Sequence, residues 1–161
     1  MGTEVDPGQQ DVMTDHPELD VLPVWPQETI AVLVTTDVGP HAIPVSWPVR
    51  AGDRRILISL KSDRGSLARL RARPEVALLI LGGGNVALCA RGRATVIAEQ
   101  MPSAQDYTAV QLDVDVIDDH RQSAFAVDRG IQRTVLDDTE LRALEGRVET
   151  LRSWADNGPA A

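Results

Sequence analysis

Residues 55–81, RILISLKSDRGSLARLRARPEVALLIL, decide how this chain folds. Arg55 to Leu60 is apolar and rich in β-formers, which predicts a strand. Ser62 to Arg73 reads as a short helix that Ser62 or Asp63 can cap, with Leu67 and Leu70 facing inward and Pro74 ending it. Glu75 to Leu81 is continuously apolar, as expected of a strand covered on both faces. Where the first strand runs into the helix, at Ser59-Leu60-Lys61-Ser62-Asp63-Arg64-Gly65-Ser66, free backbone amides meet the positive end of the helix dipole. An anion can be bound there by main chain alone. Gly65 removes a side chain that would block close approach, Ser62 and Ser66 offer hydroxyls, and Lys61 and Arg64 offer charge. The competing reading of these residues is an ordinary capped helix whose cations are solvated.

Outward from this segment the pattern stays β-rich. Thr29 to Thr36 is apolar on both faces, and Asp37 to Pro40 is a turn. His41 to Arg50 resumes as a strand with Ile43, Val45 and Trp47 on one face. Pro44 and Pro48 remove ladder donors, so this strand can be only partly paired along one side. Ala51 to Asp53 then turns the chain into Arg55. Beyond Leu81, a Gly-Gly-Gly-Asn loop leads to a long strand, Val86 to Ala98, with Arg91 and Arg93 on one face and Gly92 between them at an expected bulge. Thr108 to Val116 alternates apolar residues with Gln111, Asp113 and Asp115, giving a strand with one wet face. Ala124 to Val135 reads as a last, less regular strand, and Pro17 to Leu22 as a helical turn. Asp137 to Glu140 looks like a capping sequence, and Leu141, Leu144, Val148, Leu151 and Ala155 recur at helical spacing.

The expected fold is mainly β: a six-stranded antiparallel barrel with a short helix after the third strand and a C-terminal helix. Residues 1–16 read as a mobile tail without periodicity, residues 17–136 as the barrel domain, and residues 137–161 as a C-terminal amphipathic helix and tail packed on it. No internal repeat is evident. A barrel interior covers only one face of each strand, so the doubly apolar strands call for a cover outside. A second copy of the chain is the economical one, since large exposed apolar patches are rare on soluble monomers.

Composition narrows the partners. The 161 residues carry a formal net charge of −8, yet residues 50–73 alone carry +6, including the only lysine, Lys61. Residues 1–49 hold eight acids and no Lys or Arg. Such a protein can attract a small anion while repelling long polyanions. Aromatic content of 3% leaves few platforms for stacking bases, so a nucleic-acid module is disfavoured. The single cysteine, Cys89, cannot form an internal disulfide, which fits a reducing cytoplasm. The N-terminus has no basic residue before an apolar core, and glycines break the longest apolar run, so secretion and membrane insertion are not expected.

The order of elements supplies a resemblance. HAIPVSW at 41–47, ILISLK at 56–61, RGSLARLRARPEVAL at 64–78 and RGRA at 91–94 are similar to the pyridoxamine 5'-phosphate oxidase-like flavin-binding proteins, over about Glu28 to Val135. The resemblance implies an FMN-binding split β-barrel, a homodimer, and FMN in a groove between subunits; some relatives use a deazaflavin coenzyme and others bind haem. It places Val45, Ser46 and Trp47 on the strand bordering the flavin ring. It places Ser59, Leu60 and Lys61 at the phosphate pocket, with Ser62, Arg64, Gly65 and Ser66 at the helix start. Relatives often carry a Thr after the strand-end residue and a Ser-Arg-Lys run at the helix; here Leu60 and then Arg64-Gly65-Ser66 stand there, so the usual helix lysine is missing. The implied activity is hydride transfer between FMN and a small organic substrate, with a non-catalytic flavin, deazaflavin or haem carrier as the alternative. No catalytic side chain follows from it.

Other residues carry weaker signals. His41 follows a turn and reads as a surface histidine. His16 and His120 lack any metal-ligand spacing. Asp113, Asp115, Asp118 and Asp119 read as a solvated strand face rather than a cation site. Arg91 and Arg93 either reach a ligand across a dimer or pair with acids on a neighbouring strand. No Ser-His-Asp arrangement is evident.

Overall fold

A computed structural model describes residues 17–159; the expected N-terminal tail lies outside the described residues. The elements run β1 (Ile30–Thr35), β2 (His41–Ser46), β3 (Val49–Arg50), β4 (Arg55–Lys61), α1 (Gly65–Ala72), β5 (Glu75–Gly82), β6 (Val86–Ala98), β7 (Tyr107–Asp119) and α2 (Asp138–Asn157). All strands join one seven-stranded sheet of order β2-β1-β5-β6-β7-β4-β3, and every pairing is antiparallel. The two edge strands, β2 and β3, are separated in sequence only by Trp47 and Pro48. The sheet must therefore curl until its edges meet, which makes it a half-barrel with a split where β2 faces β4. Two register shifts along the β6–β7 ladder, at Arg91/Gly92 and Val96/Ala98, add the local twist that such curvature needs.

Four sequence expectations are corrected. The single strand expected over His41 to Arg50 is broken: Trp47 adopts φ 53, a left-handed conformation rare for a bulky residue, and Pro48 has no N–H for a ladder. The Trp47 amide turns back to the Thr29 carbonyl at 2.9 Å, and the Trp25 indole donates to the Pro48 carbonyl at 2.8 Å. The sheet consequently has seven strands rather than six, and the short helix follows the fourth rather than the third. Ala124 to Val135 is not a strand either. It belongs to an exposed strap, 120–137, tied to the β5–β6 turn by Asn85 N–H to the Val127 carbonyl (2.9 Å) and Val127 N–H to Asn85 Oδ1 (3.0 Å). Nor is Pro17 to Leu22 helical: Glu18 bridges Asp118 and the Leu19 amide donates to the Ile117 carbonyl, so this segment runs beside β7.

The inner faces of the strands form the main core, with Leu33, Ile56, Leu78, Ile80, Leu88, Leu112 and Ile117 almost wholly buried. A second cluster lies beneath α2, where Leu144, Val148, Leu151 and Trp154 pack on Trp47, Val49, Leu57, Met101 and Ala109. As the capping sequence predicts, Asp137 accepts from the Thr139 amide at 2.8 Å. Each buried leucine-sized side chain there contributes roughly 1.5–3 kcal/mol, so packing rather than capping holds α2 on the sheet. On the opposite face, Pro44, Val32 and Leu79 lie in one cross-strand row and Ala42, Val34 and Ala77 in the next. These six are exposed or half-buried, which leaves an apolar strip across β2, β1 and β5.

Candidate functional site

The split in the barrel is a groove of about 220 Å³. Its walls are Ile43, Pro44, Val45 and Ser46 of β2, Ser59, Leu60 and Lys61 of β4, Arg64, Tyr107 at the start of β7, and Leu144 and Arg147 of α2. Six of the ten residues singled out from the sequence thus share one cavity: Val45, Ser46, Ser59, Leu60, Lys61 and Arg64. They converge because the curled sheet brings the β2 edge opposite the end of β4. The lining holds three cations, Lys61, Arg64 and Arg147, and no carboxylate, in a chain whose net charge is −8. A cavity of that composition favours an anion.

The remaining four lie around the groove rather than in it. Trp47 turns away at its left-handed backbone and is buried in the cluster beneath α2. Ser62 shares a hydrogen bond with Thr108 through their hydroxyls at 2.9 Å. It does not cap α1, and neither does Asp63: the cap is Arg64, whose side chain makes no capping bond. The first amides of α1 therefore have no side-chain acceptor, and Gly65, exposed beside them, would have nothing within 4 Å of a β-carbon. Ser66 is buried under the helix start.

The residue that sequence reasoning missed is Arg147. It lies on the buried face of α2, 7% exposed, with its guanidinium carbon 3.7 Å from the centroid of the Tyr107 ring. Its Nε is buried without a hydrogen-bond partner, the one such side-chain atom among the described residues, and no described carboxylate pairs with the group. The sequence signal was faint: Arg147 sits between Leu144 and Val148 on the helical repeat, where an apolar residue is the norm.

Arg91 and Arg93 pair across strands. Arg91 Nε donates to Asp118 Oδ2 at 2.8 Å, and Arg93 Nη1 to Glu75 Oε1 at 3.1 Å. Burial pushes the Cys89 thiol above its ordinary pKa and the Asp118 carboxylate adds to that, while Arg91 opposes it. Among the described residues no cluster of three or more His, Cys, Asp or Glu side chains could hold a metal, and no helix is long and apolar enough to cross a membrane. A larger cavity of about 480 Å³ lies between the strap and the start of α2. Its lining mixes Glu28 and Asp128 with Arg129 and Arg133, and Trp47 is the one sequence-selected residue that reaches it.

No protein-family model and no curated protein matches the chain. Among solved structures, HupZ of Group A Streptococcus superposes with a TM-score of 0.51 at 11% identity, over 63% of this chain and 90% of that one. An F420 reductase gives 0.49 at 13% identity (58% and 92% covered), and a candidate pyridoxamine 5'-phosphate oxidase from Lactobacillus delbrueckii gives 0.48 at 13% (70% and 92%). The likeness to HupZ shows the fold alone, and the name of the Lactobacillus delbrueckii protein is that of the group the sequence resembles.

Proposed function

We propose that the groove between β2, β4 and α2 holds the phosphate-bearing end of a flavin-type redox cofactor, FMN or a deazaflavin coenzyme, in a homodimeric oxidoreductase. The observation that carries this reading is the groove's lining of three cations without a carboxylate. Arg147 Nε is a buried donor that the chain itself leaves without an acceptor, and a phosphate oxygen is an acceptor of the matching charge. For haem the lining offers as axial ligands only Lys61 and Tyr107, whose ring is covered by Arg147, and no His, Cys or Met.

When bound, the flavin ring supplies the hydride chemistry. The chain's own part is positional. Lys61 and Arg64 would hold the phosphate, with the uncapped first amides of α1 beside the groove, and the backbone of Val45 and Ser46 would border the ring. Leu60 and Leu144 exclude water from the groove floor. The lining contains no His, Asp, Glu or Cys, and Lys61 and Tyr107 are the side chains in it that could move a proton. The second reading is a carrier that holds the cofactor without turnover.

At about 220 Å³ the groove is smaller than the roughly 300–1,000 Å³ of a complete small-molecule site, so part of the cofactor needs a wall from elsewhere. A second copy seated on the apolar strip of Val32, Val34, Pro44 and Leu79, beside the groove's β2 wall, supplies one. The test is titration of the purified chain with FMN and with a deazaflavin coenzyme, followed by visible absorbance. Binding followed by bleaching with a reduced nicotinamide and recovery on adding an acceptor supports the enzyme. Binding without bleaching supports the carrier, and no binding of either removes the redox reading.

A further inference from the structure

Arg147 is the least ordinary residue in the molecule. An arginine that is 7% exposed, with its Nε buried and unpartnered and no described carboxylate beside it, is costly, because a largely buried charge loses hydration and gains little in return. The Tyr107 ring at 3.7 Å offsets part of that cost through the attraction between the cation and the ring face. It leaves the hydrogen-bonding capacity of the group unused. Arg147 lines the groove together with Lys61 and Arg64, and its helix is held on the sheet chiefly by the apolar cluster around Leu144, Val148 and Leu151.

We propose that Arg147 is a buried receptor for a phosphate monoester in this groove, and that the bound phosphate fastens α2 to the barrel. The proposal rests on the reading of the groove as a phosphate site, and it adds a residue and a consequence. Arg147 binds the dianion through its planar fork, where Lys61 and Arg64 act from the exposed rim. Neutralising the buried cation removes a cost that α2 otherwise bears, so helix docking and ligand occupancy favour each other.

The experiment uses the full chain with Arg147→Met and Arg147→Lys. Without ligand, Arg147→Met melts at the same temperature as the parent or higher, since methionine fills similar volume without a buried charge. With FMN, the affinity of Arg147→Met falls roughly 10- to 100-fold, while riboflavin, which lacks the phosphate, binds parent and variant alike. Arg147→Lys recovers part of the FMN affinity, because it restores a point charge without the fork. Amide exchange over residues 138–157 slows on adding FMN to the parent and does not slow in Arg147→Met. Unchanged FMN affinity in Arg147→Met, or equal losses of FMN and riboflavin, overturns the proposal. Inorganic phosphate separates it from the cofactor reading: if the parent binds phosphate but neither FMN nor a deazaflavin, and Arg147→Met loses the phosphate, Arg147 stands and the redox function falls.

Discussion

Gly92 lies so close to the Asp113 carbonyl oxygen across the β6–β7 ladder that a β-carbon built on it would sit 1.9 Å away. The contact is backbone on both sides and coincides with the register shift between Arg91 and Gly92. Only a residue without a side chain lets the two longest strands cross there with this curvature.

Gly92→Ala should therefore destabilise the fold by about 3 kcal/mol or more, since the obstructing atom is main chain and cannot rotate away. Chemical denaturation of the two proteins measures it. A midpoint within error of the parent would mean that the bulge does not shape the barrel.

Leu151 is the best buried residue of α2, packed in the cluster with Trp47 and Leu57. Leu151→Ala should cost about 2–5 kcal/mol through lost contact and a residual cavity. Fluorescence of Trp154 and Trp47, both in the same cluster, should report loosening of α2 at lower denaturant than far-UV dichroism reports loss of the sheet. Coincident transitions would instead make helix and barrel one cooperative unit.

Cys89 should alkylate slowly at mildly alkaline pH. Burial and Asp118 both disfavour its thiolate, so its reactivity should rise only at a pH above that of an ordinary thiol. By linkage, the stability that the protonated thiol contributes is complete below the unfolded-state pKa and is lost as pH rises through the folded one. Asp118→Asn removes the repulsion and leaves Arg91 unopposed, so the pH profile of iodoacetamide reaction should move to lower pH. A shift the other way would contradict this reading.

Much of this architecture was legible in the sequence, and the misses have physical causes. The α1-to-Pro74-to-β5 register, the Gly92 bulge and the Asp137 cap each rest on local chemistry, so they could be read residue by residue. The break at Trp47 could not, because its left-handed backbone is held by a bond to Thr29, 18 residues earlier, and by Pro48. The strap at 120–137 was misread because its few apolar residues, Phe125, Ile131 and Val135, imitate a strand although they are exposed. The β4 wall of the groove was found because it ends at the strand-to-helix junction, and Val45 and Ser46 of the β2 wall were found through the family resemblance. Its third wall was not, because Arg147 comes from a helix more than 80 residues later and only tertiary packing brings it to Tyr107.

Lys61→Ala and Arg64→Ala together should weaken FMN binding by roughly 1–3 kcal/mol while leaving the melting temperature nearly unchanged, because both side chains are exposed. Equal affinity in the double variant would place the phosphate elsewhere on the chain.

The most direct test of the central claim compares FMN with riboflavin on the unmodified protein by calorimetric titration. The two ligands share the ring and the ribityl chain and differ only in the phosphate. If the three cations of the groove seat that group, FMN should bind at least about 10-fold more tightly, and the advantage should shrink as salt is raised. Equal affinities for the two, insensitive to salt, would contradict it.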